Sequence, residues 1–136
     1  MRILVTSSSF KSHDGEHIRL LKESYNDIDF VSGPLSCKQL LDLFEADYDA
    51  IISGDDDYSS TFFSSAKISS LKCIVKYGSG LDSFDLESAR LKNVSVYNSV
   101  GVNARSVAEH AVALLFYSTK KMHIVFVAKR ITDWDV

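Results

Sequence analysis

Little in this 136-residue chain can stiffen or cross-link it: it holds one proline, one tryptophan and two cysteines. Cys37 and Cys73 are too few and too far apart for a disulfide framework or a paired-thiol metal knuckle. That scarcity suits a reducing compartment, and a cytoplasmic location is expected. Basic runs are also missing, and a net charge of -3 leaves no electrostatic footprint for nucleic acid. The longest apolar stretch, "AVALLFY", falls far short of the ~20 residues a membrane span needs. At the N-terminus "MRILVTSSSF" turns polar too early for a signal peptide. With no staple and no metal, stability must come from one packed core, for which the length suffices.

What is present alternates. "RILVT" is a β-branched, apolar run that stops at a serine cluster, as a short strand does. In "DGEHIRLLKESY" the residues Ile18, Leu21 and Tyr25 recur at helical spacing. "DIDFV" predicts the next strand, closed by Gly33 and Pro34. "LSCKQLLDLF" predicts a helix with Ser36 as N-cap and Leu40, Leu41 and Phe44 facing inward. "DAIIS" and "LKCIVKY" read as buried strands on either side of a serine-rich segment with room for a short helix. "DLESARLK" is helical and "VSVYN" is a strand. Ile3, Val5, Ile51, Ile74 and Val96 are expected to be buried on the strands. Such alternation implies an α/β domain whose parallel sheet is covered on both faces. Right-handed crossovers then favour a flavodoxin-like open sheet of about five strands.

The last quarter differs. From Asn103 onward the pattern predicts helix almost throughout, opened by a capping box of Ser106 and Glu109. The expected division is therefore a domain over 1–103 and a long helical, interdomain segment over 104–136. Val107, Ala111, Leu114 and Leu115 are positioned to pack on the sheet. Ile124, Val125, Phe126, Val127 and Ile131 form a second apolar cluster with no later strand to cover. A patch of that kind is rarely left to water, so self-association through the C-terminal helix is expected, as a dimer with Phe126 near its centre.

The stretch "KYGSGLDSFD" bears on function. Gly78 and Gly80 fill two positions of the dinucleotide fingerprint G-x-G-x-x-G, but Ser83 stands at the third. The turn also follows the fourth strand, whereas the fingerprint usually follows the first. Two other readings stay open: a tight turn that needs glycine's conformational freedom, or a nest. In the second, successive amides of Ser79, Gly80 and Leu81 at the carboxyl end of a parallel strand would hold an anion such as a carboxylate.

The segment from Leu71 to Leu115 closely resembles the NAD-dependent D-2-hydroxyacid dehydrogenases, in particular those like phosphoglycerate dehydrogenase and glyoxylate reductase. Lys76, Gly78, Gly80, Asp82 and Asp85 match one motif of the family's substrate-binding (catalytic) domain. Asn98, Gly101, Asn103, Ala104, Ser106, Val107, Ala108 and Glu109 match a second. The resemblance implies an oxidoreductase acting on a small D-2-hydroxy or 2-oxo acid. The substrate carboxylate would sit on the amides of Ser79 and Gly80 with Lys76 close by. Ser79 and Val107 would approach the nicotinamide end of NAD, core packing being the alternative for Val107. Ser83 replaces the family's asparagine, and its hydroxyl can still bond the turn. The family's catalytic Arg, Glu and His belong to a later, nucleotide-binding half, and His13, His17, His110 and His123 match none of their positions. No catalytic residue is therefore expected in this chain. Alone it should bind acid without turning it over and without useful affinity for NAD, since hydride transfer needs both groups.

Two other functions use the same fold. A non-catalytic regulatory or interaction module would need only the exposed helix. A receiver-like signalling domain would use Asp55, Asp56 and Asp57 after the third strand with Lys76 as partner. "LVTSSSF" lacks the acidic pair that receivers need for Mg²⁺, so the aspartates read instead as a solvated loop. His13 and His17 share a helical spacing but lack a third metal ligand and are expected to face solvent. Cys37 near a helix start lacks a base. "SSSF" lacks the glycine for a phosphate cradle and reads as a polar loop.

Overall fold

Five short runs, each rich in β-branched or aromatic residues, become the strands β1 (Arg2–Val5), β2 (Asp27–Phe30), β3 (Ala50–Ser53), β4 (Cys73–Lys76) and β5 (Ser95–Asn98). The computed structural model describes residues 1–12 and 15–124, which fall in two compact units divided between Val100 and Gly101. In the first unit the strands form one parallel sheet in the order β2-β1-β3-β4-β5. The expected open α/β sheet is the one observed. Helices α1 (Ser8–Ser12), α2 (Glu16–Ser24), α3 (Cys37–Leu43), α4 (Ser60–Ser64) and α5 (Leu86–Leu91) make the crossovers, with a 3₁₀ turn at Ala66–Ile68. The second unit contains α6 (Ala104–Thr119).

Alternation along β1 divides the core in two. Leu4 joins the larger cluster with Leu40, Ile51, Tyr58, Phe62 and Ile74. Ile3 and Val5 point the other way, toward Phe10 and Ile18. Phe62 meets Phe44, Tyr58 and Phe63 edge-on at 5.7, 5.1 and 5.3 Å. Burial of such side chains contributes ~1.5–3 kcal/mol each. Ser36 caps α3 in a reciprocal box with Gln39, and Asp85 caps α5 by accepting from the Ser88 amide at 3.0 Å.

Several expectations are corrected. Val96 is only half-buried, because β5 is an edge strand. The sheet is not fully covered on both faces within this unit: Val75 and Tyr97, opposite one another in register, are 38% and 57% exposed. The "SSSF" segment enters helix α1, where Ser7 Oγ accepts from the Phe10 amide and Phe10 is buried. His17 is half-buried, with Nε2 3.0 Å from the Phe10 carbonyl and its ring edge-on to Phe10. His13 lies outside the described residues.

The long helix starts earlier than its capping box predicts. Gly101 turns the backbone at φ 75°, the Ala104 amide bonds its carbonyl, and Asn103 becomes the N-cap. Ser106 therefore sits inside the first turn, and Glu109 pairs with Arg105 at 2.9 Å. Helix α6 ends at Lys120, and Lys121 adopts φ 50° before residues 122–124 become helical again. No residue of α6 is buried, so Val107, Ala111, Leu114 and Leu115 are not core residues. Val125, Phe126, Val127 and Ile131 lie outside the described residues.

The aspartate run is not a solvated loop. Asp56 is fully buried. Its Oδ2 accepts from the Thr6 hydroxyl at 2.5 Å and, more distantly, from the Tyr58 hydroxyl at 3.4 Å. Oδ1 accepts from the Leu35 amide at 2.8 Å. A Cβ on Gly33 would stand 2.6 Å from Oδ1 and 2.8 Å from the Thr6 carbonyl, so only glycine fits there. This one carboxyl group ties together the loops that leave β1, β2 and β3. Burial first, then the Asp56 charge, holds the Tyr58 hydroxyl well above its ordinary pKa. Replacing Asp56 with Ala would take the shared acceptor from three donors, leaving Thr6 only its 3.5 Å contact with the Ile52 carbonyl, and is expected to cost about 3 kcal/mol or more. The urea midpoint measures this, with an unchanged denaturant slope; a loss below ~1 kcal/mol would contradict the assignment.

At the opposite end of the sheet Asp29 accepts from the Tyr48 hydroxyl and the Arg2 guanidinium, both at 2.8 Å. The Tyr48 bond, then the Arg2 bond, hold its carboxyl below the usual range. Burial, then the bond to Asp29, push the Tyr48 hydroxyl up to about 12. A carboxyl whose folded pKa is depressed contributes stability above its unfolded pKa and loses it as pH falls through the folded value. Stability should therefore drop below about pH 4, and Asp29→Asn should flatten that acid limb in urea titrations run at several pH values.

Candidate functional site

The turn after β4 lies at the carboxyl edge of the sheet, where open parallel sheets bind ligands. Gly78 opens it with φ 157°, and its amide closes a tight bond to the Lys76 carbonyl at 2.9 Å. A Cβ on Gly78 would approach Lys76 Cε at 3.3 Å, so glycine lets the lysine side chain run beneath the turn. Ser79 and Gly80 are exposed. Among the described residues, the amides of Ser79, Gly80 and Leu81 donate to no protein group. Three consecutive donors thus stand free beside one another.

The last residues of β5 and its exit hold the turn in this attitude. Asn98 Nδ2 donates to the Ser79 carbonyl at 2.7 Å, and the Ser99 amide donates to the Gly78 carbonyl at 2.9 Å. Ser99 Oγ also donates to the Lys76 carbonyl at 3.3 Å. The carbonyls of Gly78 and Ser79 are thus engaged by β5 and its exit, while the neighbouring amides have no protein acceptor among the described residues. On the far side, Tyr58 pairs with the 83–85 segment: its amide donates to the Ser83 carbonyl and its carbonyl accepts from Asp85, each at 2.9 Å. Tyr58 and Phe84 stack with centroids 4.5 Å apart. Ser83 serves the turn through its backbone; its hydroxyl makes no hydrogen bond among the described residues, contrary to expectation.

Of the residues expected to bind substrate, Lys76, Ser79 and Gly80 share this single turn. Lys76 is buried, and its ammonium donates to the Gly54 carbonyl at 2.5 Å and to Asp55 Oδ1. It enters the site already ion-paired, which sequence reasoning missed. Val107 stands on α6, in the second unit, with its side chain 57% exposed. Asn98 was legible only as a motif position, without its task of orienting the turn. Asp56 has both oxygens occupied and is buried, which leaves it unsuited to accept a phosphoryl group from solution. Among the described residues no three His, Cys, Asp or Glu side chains could hold a metal ion, and no helix is long and apolar enough to cross a membrane.

Known proteins share both this sequence and this fold. The model of the D-isomer specific 2-hydroxyacid dehydrogenase catalytic domain matches residues 3–130. The chain is 30% identical over 108 residues to D-3-phosphoglycerate dehydrogenase of Mycobacterium bovis, covering 79% of this chain and 20% of that protein. It is 34% identical over 65 residues to hydroxypyruvate reductase of Thermotoga maritima, covering 48% and 21% respectively. It thus spans about a fifth of the curated relatives it matches. A crystal structure from Thermus thermophilus superposes with a TM-score of 0.81 at 25% identity, over all of this chain and 42% of that one. NAD⁺-bound 3-phosphoglycerate dehydrogenase of Entamoeba histolytica shares the fold, with a TM-score of 0.68 at 20% identity, over 86% of this chain and 38% of that one. Matched along nearly its whole length by one family, the chain belongs to the D-isomer specific 2-hydroxyacid dehydrogenases.

Proposed function

We propose that the chain is the acid-binding part of an NAD-dependent oxidoreductase acting on a small D-2-hydroxy acid or its 2-oxo counterpart. The observation that carries this reading is the row of free amides at Ser79, Gly80 and Leu81, oriented by Asn98 above a buried lysine. Backbone amides in such a row suit a carboxylate, because they supply fixed dipoles without a charge to desolvate. In this reading residues 1–103 hold the acid, and the segment that begins with α6 supplies an associating surface.

The residues expected toward NAD fit that role in character. Ser79 offers an exposed hydroxyl with no partner among the described residues, and Val107 an exposed apolar side chain suited to a flat ring. When bound, NAD supplies the hydride acceptor. The 136 residues themselves hold and orient the acid, and no acid–base histidine at a family position is recognised in them. We accordingly propose that they bind acid without turnover and have little affinity for NAD on their own. A ligand at a hundred times its dissociation constant adds ~2.7 kcal/mol of stability, so millimolar NAD should leave the melting curve in place, and a clear shift would contradict the reading.

Self-association belongs to the same proposal. Val107, Val112, Leu114, Leu115 and Phe116 of α6 are each more than half exposed. Covering such side chains contributes ~1.5–3 kcal/mol each, against an association cost of ~4–15 kcal/mol. A dimer in sedimentation velocity is expected, with Leu115→Asp shifting it toward monomer; a native protein that stays monomeric at high micromolar concentration would exclude it.

For the site itself, D-lactate titrated into the isotope-labelled protein should move the Ser79 and Gly80 amide resonances. Asn98→Ala should weaken that binding about two- to tenfold, the worth of one orienting hydrogen bond. If saturating D-lactate leaves both resonances unmoved, the carboxylate reading is wrong.

A further inference from the structure

We propose that Asp55 is a specificity-determining residue of the turn, confining it to acids with a single carboxylate and turning away those that carry a second anionic group, such as a phosphate. This rests on the carboxylate reading above and narrows its substrate class. Lys76 is only 4% exposed, yet its ammonium donates to Asp55 Oδ1 as well as to the Gly54 carbonyl. The Asp55 side chain is 91% exposed and makes no other hydrogen bond or ion pair among the described residues. Nothing but the ammonium holds it there. The cation beside the turn is thus neutralised before any acid arrives.

The turn itself and the loop after β3 add no replacement. Residues 54–59, "GDDDYS", and 77–85, "YGSGLDSFD", contain five aspartates and no lysine or arginine. Asp56 is buried and Asp85 is spent on its helix cap, but Asp82 is exposed, with Oδ2 3.1 Å from where a Cβ of Gly80 would stand. A lone carboxylate can be held by free amides. A phosphate dianion carries more charge than a carboxylate and is ordinarily met by an Arg fork or a Lys ammonium as well as amides. The charges of these two segments, Asp55 and Asp82 among them, are all acidic. Paired to Lys76, the Asp55 charge stays beside the turn and opposes a second negative charge on the ligand more than it opposes a single carboxylate.

The experiment titrates the labelled native protein and Asp55→Asn with D-lactate and with 2-phosphoglycolate, following the Ser79 and Gly80 amides. For the native protein, D-lactate should bind about tenfold or more tightly than phosphoglycolate. In Asp55→Asn both should tighten, phosphoglycolate by about tenfold and D-lactate by about threefold, so that the gap closes. Raising salt to 1 M, where screening acts within ~3 Å, should narrow the native gap as well, and this arm decides the matter if the variant does not fold. The proposal is overturned if phosphoglycolate binds the native protein at least as tightly, or if the gap survives Asp55→Asn or ignores salt. If neither acid moves these amides in either protein, the carboxylate reading falls and takes this proposal with it.

Discussion

A single buried carboxyl group organises the functional edge of this domain. Asp56 takes hydrogen bonds from Thr6 after β1 and from Leu35 after β2, while itself following β3. Gly33 is held at a distance from it that no other residue could tolerate. A buried polar group of this kind is favourable only when fully satisfied, which makes the three loops conditional on one another. Its neighbour Tyr58 then carries the constraint across to the 83–85 segment that follows the glycine turn. The turn is thus set from two sides, by Tyr58 behind it and by Asn98 beneath it.

Such an edge concentrates charge of one sign and ties up part of it internally. Asp56 is buried and hydrogen-bonded, Asp85 caps a helix, and Asp55 and Lys76 neutralise each other. What remains for a ligand is mostly backbone. Fixed amide dipoles can bind an anion with less desolvation than a buried ion would demand, so the proposed acid site needs no strongly perturbed side chain.

The sheet was legible because its signals are local. Apolar runs of strand length, the Ser36–Gln39 box and the helical spacing around Ile18 each encode one element within a few residues. The turn was legible as a motif, since Gly78, Gly80 and Asn98 recur in a known arrangement. What escaped was decided at long range. Asp55, Asp56 and Asp57 are chemically alike in sequence, and only the approach of Thr6, Leu35 and Lys76 makes one a buried anchor and another a counter-ion. The capping box at Ser106 failed for the opposite reason: a closer local signal, the turn at Gly101, starts the helix first.

The uneven covering of the sheet has a kinetic side. β5 bonds to β4 alone, and one face of this pair leaves Val75 and Tyr97 in water. Strands with few buried contacts open locally at a fraction of the global unfolding cost. The residues that orient the amides, Asn98 and Ser99, sit at the end of that strand. Order in the turn is therefore coupled to an edge strand of the sheet, and an anion that braces the turn would slow hydrogen exchange along β5 before it changed exchange anywhere in β1 or β3.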